Sequence, residues 1–194
     1  MKTLRYIFTL AILAFSLQFL SAQGRFAFTY NTALPLGETA ELAGKYSFRG
    51  AGIEGRWAVG SSFDIGFNAS WNVFYESVSG SFTEGNSTLT GTQYRYVNAY
   101  PVMFTAYKSF GSSESFQPYI GLGVGAIKAD HRKEMGLWYV DANNWHFGVA
   151  PEIGAVIPTW GSFDFLISIR YNYGAKVKDS PSVSYLGLNL GVLL

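Results

Sequence analysis

The stretch Gln117 to Ile127, reading QPYIGLGVGAI, constrains the fold more than any other part of the chain. In an extended strand, successive side chains point to opposite faces. Tyr119, Gly121, Gly123 and Gly125 then share one face, and Ile120, Leu122, Val124 and Ala126 share the other. Glycine weakens a strand, so three in a row on one face need a reason. Crowding inside a small closed barrel supplies it, because side chains from opposite strands need the space. The aliphatic face then looks outward, into lipid.

The rest of the chain keeps the same alternation. Strands are expected at Arg25–Ala33, about Tyr46–Trp57, Phe63–Glu76, Gln93–Phe110, Gln117–Asp130, Trp145–Ile157, Phe163–Tyr173 and Val183–Leu194. Pro101 marks a bend or bulge in the fourth. Most of these strands reach ten residues or more, the ~9–11 needed to cross a bilayer at a tilt. The connections alternate long and short. Long loops are expected at Leu34–Lys45, Ser77–Thr92, His131–Asn144 and Gly174–Ser182. Bacterial outer-membrane barrels have short periplasmic turns and longer extracellular loops. A sandwich or a soluble lipocalin has no reason to keep that rhythm. The expected fold is therefore all-β, an eight-stranded antiparallel transmembrane up-and-down β-barrel.

The first 22 residues look like a cleaved secretory signal peptide. Lys2 and Arg5 precede an uncharged, mostly apolar run from Tyr6 to Leu20, and Ser21-Ala22 supplies small residues at the cut. Residues 23–194 then form the barrel, located in the outer membrane. Without Lys2 and Arg5 the chain carries 12 basic and 13 acidic residues, a formal charge of −1. That balance argues against a nucleic-acid partner. Only 14% of residues are charged, against a typical quarter, while 18% are aromatic. Cysteine is absent, which removes a disulfide framework and any cysteine metal site.

The two faces differ in chemistry. The outer one holds Phe, Ile, Leu, Val and Trp, with aromatics such as Trp57, Phe63, Tyr75, Tyr94, Trp145 and Tyr173 near strand ends. Amphipathic rings suit headgroup level, and membrane barrels carry such girdles. The opposite face holds Glu54, Arg56, Asp64, Arg95, Glu152, Asp164 and Arg170, with Asn68, Asn72, Asn172 and Asn189. Signs there are nearly matched. Eight strands leave room for side chains and little else, and buried charges must pair. The expectation is a structural ion-pair plug, with a narrow polar conduit as the alternative. His131 and His146 are the only histidines. His146 has the inward parity, with Asp141 and Ser168 as candidate partners in a lipid-modifying site. No GxSxG or HExxH motif supports catalysis. The GxGxG of Gly121–Gly125 lies inside a strand and opens no helix, so it is not a nucleotide fingerprint.

The segments WNVFYE (Trp71–Glu76), QPYIGLGVGA (Gln117–Ala126), HFGVAPEIGAVIP (His146–Pro158) and YLGLNLGVLL (Tyr185–Leu194) carry a family likeness. Across 23–194 the chain resembles the small eight-stranded outer-membrane β-barrel proteins of Gram-negative bacteria, similar to the OmpA transmembrane domain and to OmpW-like and opacity-type barrels. It departs from them in ending on Leu194, where members often carry a terminal Phe read by the barrel-assembly machinery. The resemblance implies a non-enzymatic protein with a structural, envelope-integrity or surface-interaction role. Transport of small or hydrophobic solutes is the alternative, and a lipid-modifying enzyme the third reading. It implies no cofactor and no metal. Its partners would be outer-membrane lipid, the assembly machinery during insertion, and an extracellular ligand met through the long loops. Exposed aromatics commonly anchor interfaces, which singles out Trp138 and Tyr139 for loop contacts. The chain is expected to be a monomer.

Overall fold

The structure, a computed structural model, describes residues 24–84, 87–111, 115–136, 138–178 and 180–194. The expected signal peptide, residues 1–22, lies outside the described residues. Eight strands form one closed antiparallel ring in sequence order: β1 (Gly24–Pro35), β2 (Gly50–Ala58), β3 (Phe63–Glu84), β4 (Ser87–Ser109), β5 (Gln117–Met135), β6 (Trp138–Ile157), β7 (Asp164–Gly174) and β8 (Val183–Leu193). β1 pairs with β8 from Ala27 opposite Leu193 to Pro35 opposite Tyr185, which closes the barrel. One short helix, α1 (Gly37–Leu42), follows β1.

The barrel is inside-out relative to a water-soluble protein. Phe104 is 80% exposed on the outer wall, with Phe28, Leu122, Phe147 and Ile153 also exposed around it. Glu54 is 0% exposed in the interior. An apolar surface this continuous is incompatible with water and suits hydrocarbon. Aromatic contacts ring the end that carries the short turns. Phe26 meets Trp57 edge-on at 5.8 Å, and the Lys108 ammonium stands 5.5 Å from the Phe63 ring and 5.9 Å from the Phe110 ring.

The glycine row of β5 serves packing. A Cβ on Gly121 would lie 2.6 Å from the Tyr107 ring, and one on Gly125 would lie 2.2 Å from the Val102 carbonyl oxygen. Gly123 faces Ala150 and Met103, each at 3.3 Å. Large inward side chains of β4 therefore occupy the space that β5 leaves open.

Five expectations need correction. Two long loops are largely strand: β3 and β4 pair as far as Glu84 opposite Ser87, and β5 and β6 as far as Met135 opposite Trp138. Their sequences are polar on both faces because these hairpins stand clear of the lipid, and polarity alone does not prevent pairing. The first loop contains α1, a single stretch too short to leave a helical period. β2 begins at Gly50, because Ser47 bridges to Ala33 on β1 instead. Pro101 causes no bulge. The β3–β4 register runs unshifted from Asn68 opposite Met103 to Asn72 opposite Ala99, with the ladder interrupted only between them.

The charged lumen and its lid as candidate functional site

Glu54 and Arg56 sit two residues apart on β2, so both point inward. Glu152 on β6 lies directly opposite Arg170 on β7 in the register. The Arg170 guanidinium donates to Glu152 at 2.6 Å and reaches across the lumen to Glu54 at 2.8 Å. Arg56 donates to the other oxygen of Glu54. Tyr119 donates to Glu152 at 2.7 Å. All four charged side chains are buried. Two carboxylates and two guanidinium groups cancel, which is the condition for keeping such charges away from water. The Arg56 guanidinium carbon lies 3.9 Å from the Tyr107 ring centre and 4.3 Å from that of Tyr119. Those two rings meet nearly perpendicular, at 88° and 5.5 Å. Arg56 is thus held by a carboxylate and two aromatic faces.

Of the seven charges expected in the lumen network, Glu54, Arg56, Glu152 and Arg170 come together. The other three do not join them. Asp64 pairs with Arg25 at 3.3 Å at the short-turn end. Asp164 accepts the Thr159 backbone N–H at 3.2 Å and so braces the β6–β7 turn. Arg95 donates to Gln93 at 2.6 Å and lies 6.0 Å from the Phe82 ring, high in the β3–β4 extension. Parity assigns a residue to a face, whereas height along the lumen depends on strand stagger, which parity does not carry. Tyr107 and Tyr119 were missing from the expected network. Their signal was the bare glycine face beside them, since a Cβ on Gly154 would fall 2.6 Å from the Tyr119 ring.

The interior is not polar throughout. Another part of the lumen, beneath α1, is an apolar cluster that includes Phe74, Val97, Met103, Ile127, Val183 and Tyr185, and Ala43 just after α1 belongs to it. Leu42 packs against the same cluster. This corrects the expectation of a wholly polar plug. Between charge and apolar cluster, Asn72 donates to the Tyr185 hydroxyl at 3.3 Å and Asn189 to Ser168 at 3.0 Å.

The α1 lid is fastened to the β7–β8 connection. Glu38 accepts from Lys176 Nζ at 2.6 Å, from Ser182 Oγ at 2.6 Å and from the Ser182 backbone N–H. Those hydrogen bonds, Lys176 first, hold the Glu38 carboxyl down at about 2, and the Lys176 ammonium is raised in turn by Glu38. Thr39 Oγ1 accepts the Ser184 N–H at 2.9 Å, and Gly44 donates to Glu76 at 2.7 Å.

The candidate lipid-modifying triad does not assemble. His146 is buried, its Nδ1 2.9 Å from the Ala175 carbonyl and its Nε2 3.4 Å from Ser180 Oγ. Ser168 is bonded to Asn189, and Asp141 lies on the outer face, 3.4 Å from Arg132. The ring nitrogens of His131 are buried and have no hydrogen-bond partner among the described residues. Tyr139 is exposed, with its ring 5.3 Å from the Arg132 guanidinium carbon. Trp138 opens β6 with its backbone opposite Met135, so both aromatics stand on a hairpin rather than on an irregular loop.

A closed eight-stranded ring with a lipid-facing exterior and a filled lumen is the fold of the small outer-membrane β-barrel proteins. The chain is similar to Neisserial surface protein A, with 15% identity and a TM-score of 0.52 over 88% of this chain and 94% of that one. It is also similar to Ail, the attachment invasion locus protein of Yersinia pestis, in complex with the heparin analogue sucrose octasulfate. There the identity is 15% and the TM-score 0.48, over 89% and 99% of the two chains. The N-terminal β-barrel domain of Pseudomonas aeruginosa OprF aligns at 11% identity and TM-score 0.49, over 90% and 100%. At these identities the likeness is one of fold. No protein-family model matches the sequence, and no curated protein matches it.

Proposed function

We propose that the chain is a non-enzymatic, monomeric protein of the bacterial outer membrane, with a structural or surface-interaction role and a lumen closed to solutes. The observation that carries this reading is the neutral, buried network of Glu54, Arg56, Glu152 and Arg170 tied across the barrel. Eight strands enclose little more than their own side chains. A network stapling β2 to β7 leaves no continuous aqueous path, and the latched lid covers the mouth. Contacts with other molecules fall to the long hairpins, where Tyr139 is an exposed anchor. In planar bilayers the purified protein should show little steady conductance. Large, stable single-channel openings would refute a closed lumen. His146→Ala should leave the lipid composition of the membrane unchanged, and an acyl transfer or deacylation lost with it would overturn the non-enzymatic reading.

A second reading, passage of small apolar solutes, draws on the apolar cluster beneath α1. It requires the lid to leave the mouth. An uptake of apolar dye by vesicles that depends on releasing residues 37–42 would favour it.

A further inference from the structure

His131 and the lid meet in the upper lumen. Counted from Gln117, the ~9–11 residues that cross hydrocarbon end near Ile127, so His131 stands beyond the hydrocarbon on β5. It shares the inward face with Ile127 and Ala129. Its register partners are Val97 on β4 and Ala142 on β6, and Phe74 on β3 lies opposite Val97. Val97, Ala129 and Phe74 belong to the apolar cluster that Ala43 joins and Leu42 packs against. An imidazole is therefore set into the apolar wall beneath the C-terminal end of α1. It is 8% exposed, and neither ring nitrogen has a hydrogen-bond partner among the described residues.

The charges around this ring oppose a proton. The register row directly above it runs Glu76, Arg95 and Lys133 across β3, β4 and β5. The one carboxylate of that row is occupied, since Glu76 accepts the Gly44 N–H at 2.7 Å. His146 faces the lumen lower on β6, while Asp130 and Asp141 have the outward parity. On α1, Glu38 is tied to Lys176 and Ser182, and Glu41 is exposed. Burial above all, and then His146, hold the imidazole below its ordinary 6.5; Asp130 pulls the other way, and Lys133 adds to the depression. The two ends of α1 are also fastened differently. Glu38 and Thr39 bind Ser182 and Ser184 through polar hydrogen bonds, whereas Leu42 and Ala43 rest on the apolar cluster.

We propose that His131 is an acid sensor that lifts the Leu42–Gly44 end of the lid while the Glu38 end stays fixed. A protonated imidazole needs water or an anion, and raising Leu42 and Ala43 lets water reach it. Opening therefore takes up a proton. It is favoured as the pH falls below 6.5, by up to about tenfold per pH unit, until the closed form is protonated as well. Glu38 stays ionised through that window, because its carboxyl is held down at about 2, so α1 hinges rather than detaches. The hinged lid uncovers Phe74, Val97 and Ile127 in acid and covers them at neutral pH. The proposal rests on the outer-membrane reading above, which places this end of the barrel in the external medium.

The test follows backbone amide exchange by NMR in mature protein folded into phospholipid nanodiscs, with rates corrected for their intrinsic pH dependence. The series runs from about pH 7.5 to about pH 5, above the ordinary carboxylate range. The Ala43 amide, which donates to the Thr39 carbonyl, should exchange at least ~5-fold faster at the acid end, while the Ser182 amide, held by Glu38, stays slow. His131→Gln and His131→Phe cannot take up a proton in this range and should flatten the Ala43 profile; two side-chain shapes keep the test valid if one variant folds poorly. His146→Gln should keep the rise, and its loss there would move the sensor to His146 and overturn the proposal. No rise in the wild type, or the same rise in a folded His131 variant, would overturn it as well. So would an equal rise at Ser182, which would mean that the whole lid comes away. Heat-modifiable gel mobility is scored separately. Failure to insert would sink the outer-membrane reading, whereas inserted protein with a flat Ala43 profile sinks this proposal alone.

Discussion

Arg170 is the keystone of the lumen, and its replacement gives a quantitative test. It is 4% exposed and holds Glu152 at 2.6 Å and Glu54 at 2.8 Å. Arg170→Met keeps most of the volume but removes the charge. Two carboxylates then share Arg56, a net charge of −1 in the interior. Breaking a buried ion pair by removing one partner costs ~3–5 kcal/mol, chiefly for the charge left uncompensated. The two pairs share one cation, so their losses do not add. The double variant Arg170→Met with Glu152→Gln restores neutrality, because Glu54 keeps Arg56. It should recover at least ~1–2 kcal/mol of the loss, since replacing a buried pair as a whole is far less costly than halving it. Urea titration of vesicle-folded protein, followed by tryptophan fluorescence and gel mobility, reads both. A single variant within ~1 kcal/mol of wild type, or a double variant as unstable as the single, would refute the network argument.

Leu122→Arg puts a charge on the lipid face, where Leu122 is exposed, and should cost ~2–4 kcal/mol in the same titration; Phe67, Ile167 and Leu188 share that outward parity and should behave alike. Gly125→Ala would push a Cβ to 2.2 Å from the Val102 carbonyl and should cost ~1–3 kcal/mol, whereas Gly91→Ala meets nothing within 4 Å and should be close to neutral. Equal effects at the two glycines would contradict the packing argument. The lid latch has a defined pH response. Glu38 is depressed from 4.5 to about 2 in the folded chain, so its contribution is complete above 4.5 and is lost as pH falls through about 2. Hydrogen exchange at the Ser182 amide should stay slow at about pH 4 once corrected for intrinsic rate, and Glu38→Gln should speed it at neutral pH. An amide equally protected in the variant would show that Glu38 does not hold the lid.

The period-two alternation made the ring legible, because every strand that crosses lipid must sort its side chains between hydrocarbon and lumen. Phe67 and Asn68, or Ile169 and Arg170, could be assigned to faces from sequence alone. The extended hairpins were not legible for the same reason. Ser77 to Thr92 meets solvent on both sides, so nothing sorts it, and its pairing rests on cross-strand contacts such as Ser81 with Thr90. In the lumen, the identities of Glu54, Arg56, Glu152 and Arg170 were readable, and their height was not. Asp64 and Asp164 have the same parity as their buried counterparts yet sit at the turn end. α1 escaped notice because six residues cannot display a helical period, and what holds it is Glu38 and Thr39 reaching residues more than 140 positions away.

The seam between β1 and β8 sets an order of events during biogenesis. Phe26 and Leu194 exchange both backbone hydrogen bonds, and Ala27 lies opposite Leu193. The ring therefore cannot close until its last strand has emerged, and this contact joins residues nearly a full chain length apart. Contacts of such separation form slowly. Until then β1 and β8 are open edges flanked by a wall of exposed Phe, Ile and Leu, ready to pair with other chains. An unclosed copy released into water would be an aggregation seed, so the interval between secretion of β1 and capture of β8 is the period when this protein depends most on being shielded by something else.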